Sequence, residues 1–346
     1  MKPRILIAAL LFGVAAQAGA QQPAASPNPA LSQVLQQAKQ EGTVTFFTGT
    51  ARYPRTSVTT LETAFEKKYG FPLKVTLAAI GPHPTVVQQI RSEAQSGVKP
   101  AADLFPTALG FIKMLREANA IETVDWAKLG APADSVVASE SAVLTNIIAR
   151  NIIYNTKLVP ADQVPHTLQD LGNPKWRGKI VAPAIADAFT MMVPVLGEDA
   201  TRALVEKLVK EQQIVLVQSI TDVANKVASG EFALGFGVPA DWTGTRAKGA
   251  PVDNAPMEKV SGQPFYAAVL RNAAHPAAAQ AFGLFVCCTP EGQKALNDAL
   301  GWSKFEMAGS ESNEIGGNGR GIYPTIEFQL NDQRRISTEL GKLLSP

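Results

Sequence analysis

The chain has 346 residues, with 32 Lys and Arg against 30 Asp and Glu, so its formal net charge is only +2 at pH 7. A balance this even gives no general attraction to nucleic acid or an anionic membrane, and any electrostatic preference must be local. The two cysteines, Cys287 and Cys288, are neighbours in an apolar stretch; a bridge between them would be strained, which excludes a disulfide scaffold and reads as packing.

Lys2 and Arg4 precede an apolar run over 5–14, and Ala18-Gly19-Ala20 has the small residues of a cleavage site. Residues 1–20 are therefore expected to be a signal peptide cut after Ala20, which places the mature protein in the periplasm. The run is too short for a permanent membrane span, and no Cys comes after it to carry a lipid. Residues 21–28 are polar and proline-rich and are expected to form a disordered leader. The chain beyond this leader is longer than one hydrophobic core usually serves, so two domains are expected.

Asn28-Pro29 is a cap followed by a first-turn proline, opening a helix with Leu31, Val34, Leu35 and Ala38 on one face and Gly42 at its end. Strands at 43–47, 73–77 and 102–105 then alternate with helices at 56–69, 84–96 and 107–118. The rhythm breaks at 141–154, where two β-like runs stand side by side in the chain. A second series has strands at 179–182, 214–217 and 232–236 and helices at 187–196, 199–211 and 220–229. A strand-like segment at 265–270 precedes helices at 276–288 and 290–300. Such alternation predicts an α/β fold of two lobes, each a mostly parallel sheet flanked by helices. The chain should cross between lobes near 141–153 and 262–270, giving a first lobe of 29–141 and 268–346 and a second of 142–267.

Ligands in open α/β sheets bind beyond the carboxyl ends of the strands, beside helix N-termini. That rule selects Thr48, Gly49, Thr50, Arg52, Tyr53, Gly81 and Thr107 in the first lobe. In the second it selects Asp187, Ala188, Phe189, Thr190, Ser219 and Gly237. Hydroxyls near helix starts, with Arg52 as the nearest fixed charge, suit carboxylate or phosphate oxygens. Catalytic constellations are missing: His83, His166 and His275 lack metal-ligand spacing, and there is neither a G-x-S-x-G elbow nor a P-loop. No cofactor, metal ligand or catalytic residue is assigned. The glycine-rich stretch 316–321 reads as a flexible surface loop.

Tyr154-Asn155-Thr156-Lys157, Leu168-Gln169-Asp170-Leu171 and Pro174-Lys175-Trp176-Arg177-Gly178-Lys179-Ile180 resemble the start of the second lobe in family 1 extracellular solute-binding proteins. Asn272-Ala273-Ala274-His275-Pro276, with Phe282, Phe285 and Thr289-Pro290-Glu291-Gly292-Gln293, is similar to that family's C-terminal helix signature. The resemblance implies a type II periplasmic binding protein, a monomer with two hinge strands, which captures a small molecule and delivers it to an ABC importer permease in the inner membrane. It implies a receptor and not an enzyme, although an exported enzyme on the same fold is an alternative. Ferric-binding members carry two adjacent tyrosines; Tyr53, Tyr69, Tyr154, Tyr266 and Tyr323 are all apart. An anionic organic ligand is therefore expected, with ferric iron as the alternative.

Overall fold

The computed structural model describes residues 28–344. The expected signal peptide and all but the last residue of the expected leader lie outside the described residues. Among those described, the strands in chain order are β1 (Thr43–Phe47), β2 (Lys74–Ala78), β3 (Leu104–Ala108), β4 (Val136–Val137), β5 (Ala142–Asn155), β6 (Ile180–Pro183), β7 (Val215–Val217), β8 (Leu234–Gly237), β9 (Val252–Asn254), β10 (Val260–Val269) and β11 (Gly321–Ile322). No described helix is long and apolar enough to cross a membrane.

The first lobe begins as its sequence dictates. Asn28 caps the helix Pro29–Glu41, its Oδ1 accepting from the amides of Ala30 at 3.0 Å and Leu31 at 3.2 Å, and Gly42 leaves it at φ 66°. β1 then lies between β2 and β3, all parallel. The helix Pro276–Cys288 is buried over most of its surface, which is why it is apolar all round. Its Phe282 and Phe285 meet Phe46 and Phe65 edge-on, and Cys287 is a buried free thiol in the same core.

Two long strands join the halves. β10 pairs antiparallel with β3 through 265–269 and with β5 along most of its length, while the far end of β5 pairs with β8. β8, β6 and β7 form the parallel sheet of the second lobe. The strand order β2-β1-β3-β10-β5-β8-β6-β7 therefore runs through both lobes, with β5 and β10 as the hinge strands.

Several expectations shift in detail. β3 continues through Pro106 to Ala108, so its helix starts at Leu109 instead of 107. The Phe46–Leu104 pair is the one ladder pair between β1 and β3, so Pro106 lies beyond that pairing, where a missing N–H is tolerated. The single helix expected at 187–196 is two short ones, Ala186–Thr190 and Val193–Leu196, the second carrying Pro194 in its first turn. Residues 316–321 are not a loose loop: Gly316 and Gly321 lie against the Phe305 ring, where a Cβ would overlap it, and Gly321 pairs with Val260. The sequence pattern assigns 268–346 to the first lobe, yet the helix Gln333–Leu344 buries Ile336 and Leu340 in the second-lobe core.

Candidate functional site

A cleft of about 790 Å³ opens between the lobes, and three groups of elements line it. The first lobe contributes His83, Thr107, Ala108, Gly110 and Phe111. The hinge strands contribute Ile148 and Arg150 from β5, and Gln263 and Phe265 from β10. Asp187 and the polar side of the C-terminal helix, with Gln333, Arg334, Ser337 and Thr338, form the opposite wall. The helix Leu109–Glu117 enters here with Ala108 at its N-cap and no side chain capping it. Its first-turn amides therefore bring unpaired N–H groups and partial positive charge to the cleft wall.

Arg150 is the fixed charge at the centre. One guanidinium nitrogen lies 3.3 Å from Asp187 Oδ2, with the two side chains 18% and 31% exposed. Gln333 Nε2 donates to Asp187 Oδ1 at 3.2 Å and also to Gln263 Oε1, tying the C-terminal helix to a hinge strand. The Arg150 Nε is buried without a partner. A guanidinium has five N–H donors, so Asp187 leaves most of its capacity unused. Along the whole wall Lys113, Arg150 and Arg334 face Glu117 and Asp187, three cations against two carboxylates.

His83 opens the helix His83–Ser96 and packs edge-on against Phe47 at 5.0 Å and Phe265 at 5.1 Å between ring centroids. Burial among these rings pushes its pKa down to about 4, so the imidazole is neutral at pH 7. Its Nδ1 lies 2.8 Å from Thr107 Oγ1, which fixes the hydroxyl at the end of β3. The turn beneath is held by the Gly81 amide donating to the Gly49 carbonyl at 3.1 Å.

Of the residues selected from the sequence, the structure brings Thr107 and Asp187 to the cleft. Ala188 and Gly237 line a narrow slot beside it. Thr48 is buried and donates to the Ala51 carbonyl, Gly49 sits under His83, and Thr50 and Arg52 are exposed outside the cleft lining. Tyr53 packs on the first-lobe core. Phe189 stacks near Phe236 at 5.1 Å, Thr190 donates to the Ala186 carbonyl, and Ser219 caps the helix Ile220–Ser229. Sequence reasoning missed Arg150, Gln263, Phe265 and Gln333, because the strand-end rule looks only at loops. Arg150 did carry a signal: it is the one charge in the run 142–153.

The model of the bacterial extracellular solute-binding protein family matches residues 60–302, well over half of the chain, and the chain belongs to that family. Iron-bound HitA from Pseudomonas aeruginosa is similar in structure, with a TM-score of 0.65 at 18% identity over 88% of this chain and 99% of that one. An ABC transporter substrate-binding protein from Bradyrhizobium japonicum has a TM-score of 0.67 at 16% identity, over 88% and 100%. MotA from A. tumefaciens, in complex with glucopine, has a TM-score of 0.60 at 15% identity, over 87% and 99%. At these identities the likeness is one of fold. No curated protein sequence matches at a significant level.

Proposed function

We propose that the chain is the periplasmic receptor of an ABC-type importer, exported by its N-terminal signal and monomeric, and that it captures an anionic organic ligand in the interlobe cleft. The observation that carries this reading is the convergence on one cleft of Arg150, with its unpaired buried Nε, the uncapped start of Leu109–Glu117 and the Thr107 hydroxyl. Together they offer charge-assisted and backbone N–H donors to a carboxylate, phosphate or phosphonate. Binding across the cleft adds contacts available only when the lobes approach, so ligand favours a closed state that the permease can recognise. Native mass spectrometry of protein purified without refolding tests the reading directly. An acidic small molecule should be carried by the wild type and lost from Arg150→Gln.

The likeness to iron-bound HitA favours a second reading, a ferric-iron receptor. None of the five tyrosines lines this cleft, and among the described residues no three His, Cys, Asp or Glu side chains gather to hold a metal ion. Iron bound here would draw on Asp187, Glu117 and a chelating anion that arrives with it. Stoichiometric iron in the purified protein, lost from Asp187→Ala, would establish this reading over the first.

A further inference from the structure

Arg150 also lines a second space, a slot of about 30 Å³ sunk into the second lobe beside the cleft. Its walls include Asn151, Met191, Met192, Phe236 and Met257. Met192, Phe236 and Met257 belong to the second-lobe core, but core packing does not account for Met191 and Asn151. Met191 is 2% exposed yet belongs to none of the three hydrophobic cores. Asn151 is 5% exposed, and its Nδ2 donates to Asn254 Oδ1 at 2.9 Å and to the Ala255 carbonyl at 3.3 Å. Those two acceptors fix the orientation of the amide and leave its buried Oδ1 without a donor. A buried acceptor in this condition is destabilising unless something else satisfies it.

We infer that the slot is the specificity pocket of the cleft and takes a short aliphatic group of a carboxylate ligand that carries a hydrogen-bond donor on the carbon next to the carboxyl. This rests on reading the cleft as an anion site. Arg150 holds the carboxylate where the two spaces meet, Asn151 Oδ1 accepts from the adjacent hydroxyl or ammonium, and the aliphatic group enters among the methionines. The volume suits a group of one to a few heavy atoms. Unbranched thioether side chains can adapt around it without a specific shape being built in.

Calorimetric titration with glycolate, lactate, 2-hydroxybutanoate, 2-aminobutanoate and butanoate tests the assignment. Affinity of the wild type should rise roughly four-fold per added carbon from glycolate to 2-hydroxybutanoate. Butanoate, which lacks the donor, should bind about ten-fold more weakly than the better of its 2-hydroxy and 2-amino forms. The ranking of those two forms identifies the donor. Met191→Phe, which fills the slot, should flatten the chain-length series while glycolate affinity is kept, and Met191→Ala should move the optimum to a longer chain. Equal affinity for glycolate and 2-hydroxybutanoate, or a series unchanged in both folded Met191 variants, overturns the slot assignment and leaves the anion site standing. Failure of every acid to bind overturns the slot assignment alone, whereas binding that survives Arg150→Gln overturns the anion site as well.

Discussion

Asp103 and His275 are 172 residues apart in the chain and meet through Oδ2 and Nδ1 at 3.1 Å. Asp103 is 3% exposed and also accepts from the backbone amides of Thr45 at 2.8 Å and His275 at 3.0 Å. One carboxylate thus joins β1, the entry to β3 and the start of the helix Pro276–Cys288. The segment 272–276, which carries part of the family resemblance, is thereby braced against the first-lobe sheet. Nothing in the residues around His275 announces this bond, because its partner lies 172 positions away.

Asp103→Ala should destabilise the protein by about 3 kcal/mol, because it removes three hydrogen bonds to a buried carboxylate and leaves two partly buried amides unpaired. His275→Ala removes only the ring contact and should cost about 1 kcal/mol. Urea unfolding of the two variants checks the order. Equal effects would mean that the backbone amides contribute nothing to the brace.

Much of the fold was legible because its signals are local. The Asn28 cap, Gly42 and Gly70 at helix ends, and the alternation from 43 to 118 depend on neighbours in the chain. The β character of 141–154 could be read from its apolar residues, but as two runs, which the structure joins into the single hinge strand β5. What escaped depends on distant partners. The glycines at 316 and 321 look like loop residues until Phe305 is seen against them. The site was half legible for the same reason. Thr107 and Asp187 sit at strand ends, whereas Arg150, Gln263 and Gln333 converge only once β5, β10 and the C-terminal helix are assembled.

Those glycines lead to a prediction about packing. Gly316→Ala places a methyl group into the Phe305 ring and should destabilise by about 1–3 kcal/mol. Gly244, exposed within the helix Pro239–Ala247, has nothing near its would-be Cβ, so Gly244→Ala should stabilise by about 0.5–1 kcal/mol. Thermal melts of the pair should move in opposite directions. A shared direction would contradict the packing account.

His83 predicts a pH dependence. Its folded pKa of about 4 is below the ordinary value of 6.5, so between these limits the unfolded chain binds more protons than the folded one. Stability from this group is fully present above pH 6.5 and is lost as the pH falls towards 4. The loss should be about 2 kcal/mol, less than the full shift implies because the ring edge meets solvent in the cleft. His83→Gln should flatten the pH dependence over this window. Denaturant titrations at pH 5 and pH 7 make the comparison, and an unchanged difference between the two pH values would remove His83 as its source.

Ligand binding should also close the molecule about β5 and β10, since these strands carry the connection between the lobes and themselves line the cleft. Small-angle scattering at saturating ligand should give a smaller radius of gyration than the ligand-free protein. An identical profile at demonstrated saturation would count against hinge closure.

The last prediction sets two arginines against each other. Arg52 comes just after β1 and is the first-lobe cation that the strand-end rule selects, but its side chain is exposed and outside the cleft lining. Arg150 comes from a hinge strand, is 18% exposed, and keeps unpaired donors beside Asp187. If the ligand is an anion held in the cleft, Arg150→Gln should weaken its binding by about 1.5–3 kcal/mol, ten-fold to more than a hundred-fold. Arg52→Ala should change it by only a few tenths of a kcal/mol, as exposed substitutions generally do. Asp187→Asn separates charge from shape. It removes the carboxylate that competes for the guanidinium, so a simple anion should bind more tightly, whereas a ligand with an ammonium group should lose its counter-charge and bind more weakly. Calorimetric titration of the three folded variants with the ligand carried by the purified protein reads all of these effects. A large loss in Arg52→Ala with Arg150→Gln unaffected would move the anion contact out of the cleft centre and onto the loop after β1.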